Sequence, residues 1–170
     1  MLDAIITSKT RLRLLVKFFI NAANEGHLRG LASDFNESTN AIRKELNNLS
    51  EAGYLKKENV RNRIQYKANT KHPLFGSLQD IVRKYIGLDT IIEQVLDRLG
   101  AVQQIVLTGD YAKGLDTGTI RVTIVGRQLN EDYVSKLAVK VEALIGRKVL
   151  FILSEEEVKE GLVVFDSSKN

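Results

Sequence analysis

The chain has 170 residues, ordinary apolar content and a net charge of +4, enough for one sizeable domain or two small ones with a real core. It holds no cysteine, which excludes disulfides, thiolate metal centres and cysteine nucleophiles. No run of about 18 apolar residues could span a bilayer, and the first residues lack the order of a secretory signal, so a cytoplasmic protein is expected. The two histidines, His27 and His72, lie far apart in predicted loops, which argues against a metal site. Charge is unevenly spread: residues 1 to 75 hold 13 Lys/Arg against 7 Asp/Glu, the remainder 12 against 14. The first part is therefore net +6 and suits a polyanion, while the second is net −2.

Ser8 caps a predicted helix running to about Asn21, with Leu12, Leu15, Val16 and Phe19 on one face. After a break at Asn24-Glu25-Gly26, a short helix carries Leu28, Leu31, Ala32 and Phe35 and ends near Asn36. Ser38 or Thr39 caps a third helix that turns Ile42, Leu46 and Leu49 inward, with Gly53 placed for a left-handed C-cap. Strands over 54–58 and 63–68, joined by a polar tip Asn59–Asn62, form a predicted hairpin. The only proline, Pro73, marks the expected domain boundary, giving domains 1–73 and 74–170. Helical patterns follow from Ser77 to Tyr85 and, after Gly87, from Leu88 to Leu99. Beyond them come strands at 103–108, 119–125 and 148–153, a helix at 131–145, a short acidic helix through Glu155, Glu156, Glu157 and Glu160, and a frayed tail from Ser167.

On the third helix Asn40, Arg43, Lys44 and Asn47 cluster opposite the apolar face. Those side chains supply what a major groove needs. Arg pairs bidentately with guanine, Asn with adenine, and Lys holds phosphate. Ser38 and Thr39 add hydroxyls and free N–H groups at the helix N-terminus. The stretch FNESTNAIRKELNNLSEAGYL, Phe35 to Leu55, with Leu46, Leu49, Gly53, Tyr54 and Leu55 in the recurring end pattern, resembles the helix-turn-helix of the ArsR/MarR-like winged-helix regulators. The resemblance covers about residues 8 to 70. It implies that residues 38 to 47 enter the major groove of double-stranded DNA and that a wing bearing Arg61 and Arg63 near its tip touches phosphate or the minor groove. The alternative for Arg61 and Arg63 is a plainly solvated loop. A winged helix also serves elsewhere as a protein-docking surface, but an acidic or apolar third helix would be expected for that.

The stretch LTGDYAKGLDTGTIRVTIVG, Leu107 to Gly126, resembles the signature of minimal nucleotidyltransferases of the polymerase-beta-like superfamily, in which Gly-Ser and a later basic-Gly pair precede an Asp-x-Asp strand. Gly109, Tyr111, Ala112, Lys113 and Gly114 match, whereas Asp110 replaces the serine, and Thr119 and Arg121 stand where the metal-holding aspartates belong. Two or three carboxylates must hold the Mg²⁺ of such a site, and a cation at Arg121 repels it. The loop Leu115–Gly118 is short, and the strand Lys148–Leu153 offers no third carboxylate. Asp110 and Asp116 are left as a relocated metal pair or, in the simpler reading, as caps of turns. The expectation is an α+β protein: a winged helix-turn-helix, three helices plus a β-hairpin wing, followed by a small α/β nucleotidyltransferase-like domain that is not an enzyme and holds no metal or cofactor. That domain then serves as a pocket for a nucleotide or small anionic effector, lined by Gly109, Asp110 and Lys113, or as an oligomerisation module. A homodimer is expected, because helix-turn-helix proteins commonly read paired half-sites. The rival is an active nucleotidyltransferase with a DNA-binding targeting domain.

Overall fold

The computed structural model describes residues 1–169 and is a mixed α+β structure with two separate sheets. It divides into two compact units. The first comprises Met1–Tyr85 with Lys113–Leu115, and the second comprises Ile86–Ala112 and the described residues from Asp116 onward. The division falls inside the segment that the sequence pattern assigns to a helical connector, so that one of its two helices goes with each unit.

In the first unit Ser8 caps α1 (Lys9–Phe19), its hydroxyl accepting from the Arg11 N–H at 3.1 Å. Leu14, Phe18 and Lys17 are buried along with the expected Leu12, Leu15, Val16 and Phe19. The second half of α1 is therefore enclosed on all sides rather than on one face, as befits a central helix. The Phe75 ring, on α4 (Phe75–Ile86), lies 5.8 Å from that of Phe19. Helix α2 (Leu28–Phe35) ends at Asn36, whose left-handed φ of 52° turns the chain sharply. Ser38 then caps α3 (Thr39–Glu51) by accepting from the Ala41 N–H at 3.2 Å.

Strand β2 (Leu55–Val60) pairs antiparallel with β3 (Arg63–Ala68) through Val60 and Arg63. The expected four-residue tip is thus only two residues long. Arg61 and Asn62 both take positive φ, 49° and 64°, the combination that matches hairpin twist. The expected break at Asn24-Glu25-Gly26 instead leads into a short strand β1 (Glu25–His27) on the other side of β3, giving the order β1-β3-β2. Three residues without alternation carry no strand signal of their own; β3 templates them. Gly26 sits over Leu31, where a Cβ would come within 2.9 Å of a methyl group.

The second unit opens with α5 (Leu88–Arg98), followed by β4 (Ala101–Thr108), α6 (Gly109–Ala112), β5 (Thr119–Arg127), α7 (Glu131–Ile145), β6 (Lys148–Ser154) and β7 (Leu162–Asp166). The sheet order is β6-β5-β4-β7, parallel between β5 and β6 and antiparallel elsewhere. Ile105, Leu107, Ile120, Val122, Ile124, Val149 and Phe151 are buried, as are Ile91 and Val95 of α5 and Leu137 and Val141 of α7. The expected acidic helix after Ser154 does not form. Residues 155–160 are irregular, and the Ser154 hydroxyl bonds the Glu156 backbone to close a turn. Glu155, Glu156 and Glu157 repel one another along any helix, with only Lys159 nearby to relieve them. Strand β7, absent from the sequence reading, takes the residues that follow, and a 3-10 turn at Ser167–Lys169 stands where a frayed tail is expected.

Candidate nucleic-acid interface

Helix α3 is held in place by charged contacts from α1 that the hydrophobic pattern does not reveal. Glu45, buried on α3, accepts from the Ser8 hydroxyl and from Arg11 Nε, both at 2.8 Å. Burial alone would raise its pKa, but the bonds from Arg11 and Ser8 outweigh that and hold the carboxyl below its ordinary value. In the turn before α3, Glu37 accepts from Arg13 at 2.6 Å and from the Thr10 hydroxyl, and Arg13 also reaches the Phe35 carbonyl at 3.0 Å. The turn and the middle of α3 are thus each anchored to α1. Ile42, Leu46 and Leu49 lock the inner face of α3 into the core.

The opposite face of α3 presents Asn40, Arg43 and Lys44 exposed and Asn47 half-buried, with Ser38 and Thr39 exposed at the N-terminus. Arg43 Nη1 donates to Asn40 Oδ1 at 3.0 Å, which lines up the two side chains on one ridge. Ser38 spends its hydroxyl oxygen on capping the helix.

The register of the hairpin sorts its side chains in a way the sequence alone leaves undetermined. Leu55, Lys57, Asn59, Ile64, Tyr66 and Ala68 share one face, because the cross-strand partners are Leu55 with Ala68, Lys57 with Tyr66 and Asn59 with Ile64. Leu55, Tyr66 and Ala68 are the buried end of that face, and Arg43 is close enough to Tyr66 to act electrostatically on its phenol. Lys57, Asn59 and Ile64 continue the same face out to exposure beside the α3 ridge. The other face holds Lys56, Glu58, Arg63, Gln65 and Lys67 and, on β1, Glu25. On that face Lys67 pairs with Glu58, and the Gln65 amide donates to Glu25 at 2.9 Å. Arg61 sits in the two-residue turn. The expected pair Arg61 and Arg63 is therefore split, with Arg63 on the face away from the α3 ridge. Lys57 and Asn59, missed in the sequence, take a place on the near side.

In the second unit Gly109, with φ of +67°, and Asp110 open α6, while Lys113 groups with the first unit. The expected lining trio is thus divided between the two units. Asp110 accepts from the Thr117 hydroxyl at 3.1 Å. Asp116 accepts from the buried Tyr111 hydroxyl and from Arg147 Nη2 at 3.1 Å. Burial first, and the Asp116 carboxylate second, push the Tyr111 phenol far up from its ordinary value, so it remains a donor to that carboxylate. Both aspartates serve the local turn, which also uses the Gly118 N–H donating to the Tyr111 oxygen at 3.1 Å. Thr119 and Arg121 are exposed on β5, and the Arg121 side chain lies across Gly109, with its Cδ 3.2 Å from where a Cβ would stand. Among the described residues no group of three or more His, Asp or Glu is placed to hold a metal ion. No described helix is long and apolar enough to cross a membrane.

No family model and no curated protein matches the chain. Among solved structures, Sso10a-2, a DNA-binding protein from Sulfolobus solfataricus, is similar over 51% of this chain and 87% of its own length, with 13% identity and a TM-score of 0.36.

Proposed function

We propose that residues 8 to 70 are a winged helix-turn-helix that binds double-stranded DNA, and that the chain is a transcriptional regulator. The observation that carries this reading is the donor-rich surface made by Asn40, Arg43, Lys44 and Asn47 on α3 together with Lys57 and Asn59 on the adjoining hairpin face, with the exposed carboxylate of α3 on this side, Glu51, set apart at the helix C-terminus. Helix α3 enters the major groove. Arg43 and Asn40, already joined by a hydrogen bond, address base edges, while Lys44, Lys57 and Arg61 address phosphates. Any surface helix is polar, but this one is also braced from behind, where buried Glu45 pairs with Arg11 of α1.

The second unit, in this proposal, transfers no nucleotidyl group. Its support is chemical: Thr119 and Arg121 supply no carboxylate for Mg²⁺, and Asp110 and Asp116 are engaged in the turn. Selection of bound duplexes from a random pool, followed by titration of Arg43→Ala on the selected and on scrambled duplexes, tests the DNA reading. The variant should lose affinity for the selected site and discriminate less between bases at one position. Failure of the wild-type chain to enrich any duplex would refute it.

A further inference from the structure

Every open sheet ends in strands with unpaired backbone groups, and proteins normally blunt them by shortness, charge or irregularity. Three of the four edge strands here are blunted in those ways. Strand β1 has three residues, and β2 carries Lys56, Lys57 and Glu58. Strand β7 has five residues, a register shift against β4 between Ile105 and Val106, and a terminal Asp166 bonded to Gln104 and Ser168. Strand β6 is neither short nor irregular, and its charge is confined to Lys148 at its first residue, with Glu142 of α7 bonded beside it. It runs seven residues in unbroken parallel register with β5, and from Val149 to Leu153 every residue is apolar.

Two hydrogen bonds show which backbone groups of β6 face outward. The Lys148 N–H donates to the Gly118 carbonyl on the β5 side, at 3.1 Å, whereas the Val149 N–H donates to Glu142 Oε1 of α7 at 2.9 Å. By alternation, Phe151 and Leu153 turn their N–H and C=O groups to the open edge. On one face of the strand Leu150 and Ile152 are 47% and 45% exposed.

We propose that β6 pairs antiparallel with β6 of a second copy of this chain, about a two-fold axis at Phe151. The strand is self-complementary in that register. Phe151 faces its own equivalent as a hydrogen-bonded pair. Leu150 lies opposite Ile152 of the second copy as a closely spaced non-hydrogen-bonded pair, so the two exposed apolar side chains on this face cover each other twice over. Lys148 falls opposite Ser154, beside Glu155 and Glu156 of the second copy, and the only charge on the strand meets opposite charge at both ends. Glu142 gives up the Val149 N–H to the Leu153 carbonyl of the second copy. Val139, three residues before Glu142 on α7, is 69% exposed.

The test uses the full chain without DNA, so its outcome is independent of the DNA reading. In sedimentation velocity at tens of micromolar the chain should run at twice its 19.1 kDa mass, and Leu150→Lys, placed at an exposed position, should run as a monomer with an unchanged far-UV spectrum. Because the chain has no cysteine, oxidising an equimolar mixture of Leu150→Cys and Ile152→Cys should give a crosslinked dimer that neither variant gives alone, since only the 150–152 pair is closely opposed. A wild-type monomer would overturn the proposal and leave this edge to a strand from another protein. A dimer that survives Leu150→Lys, or crosslinks equally well through one variant alone, would overturn it too.

Discussion

Removing Glu45 should loosen α3 without touching the surface it presents. The carboxylate accepts two short bonds, from Ser8 and Arg11, and hydrogen bonds to charged groups are worth about 1.5–3 kcal/mol each. Arg11 is 41% exposed, so its guanidinium returns to water when the partner is lost, and that half is discounted to about 0.5–1 kcal/mol. Glu45 also no longer bears its own desolvation. Glu45→Ala should therefore cost about 2 kcal/mol, and Glu45→Gln, which keeps one acceptor, about 1 kcal/mol. Hydrogen-exchange mass spectrometry of the full chain, read on the α1 and α3 peptides, isolates the first unit. Since folding lowers the Glu45 pKa, its stabilising contribution is complete above the unfolded value of 4.5 and disappears as pH falls through the lower folded value. The gap between wild type and Glu45→Ala should accordingly narrow in acid below that point. A variant that protects α3 as well as wild type does at neutral pH, or a gap that widens in acid, would refute the clamp.

Arg43→Ala should cost about 1–3 kcal/mol on the selected duplex and relax preference at one base position, whereas Arg61→Ala should weaken all duplexes about equally; parallel titrations on specific and random DNA separate the two. If the hairpin face is assigned correctly, Lys57→Ala should lower duplex affinity several-fold and Arg63→Ala should have little effect, by fluorescence anisotropy under identical salt. Incubation with labelled nucleoside triphosphates and Mg²⁺ or Mn²⁺ should give no transfer, and incorporation that vanishes in Asp110→Asn would restore the enzyme reading.

Much of the helical part of the first unit is written locally. Ser8 and Ser38 cap the helices the spacing implies, and Asn36 and Gly53 supply the left-handed turns that end them. What escapes the sequence depends on partners distant in the chain. Strand β1 exists because β3 lies beside it, and α1 is buried all round because neighbours enclose its second face. Which wing residues share a face with α3 depends on a two-residue turn, Arg61-Asn62, and a one-residue slip would have put Arg63, in place of Ile64, on the face that holds Lys57. The Glu45 and Glu37 clamps pair residues 24 to 37 positions apart, which no periodicity encodes. At the turn after β4 the glycines were legible, but the engagement of Asp116 with Tyr111 and Arg147 was not.

The central claim, that α3 and the inner hairpin face grip duplex DNA, is tested most directly by the salt dependence of binding. If Lys44, Lys57 and Arg61, with Arg43 in part, displace counterions, the logarithm of affinity should fall against the logarithm of salt with a slope of about −3 to −4 per bound wing, and Arg61→Ala should make it about one unit shallower. Binding that is indifferent to salt, or no binding to any duplex at low salt, would contradict it.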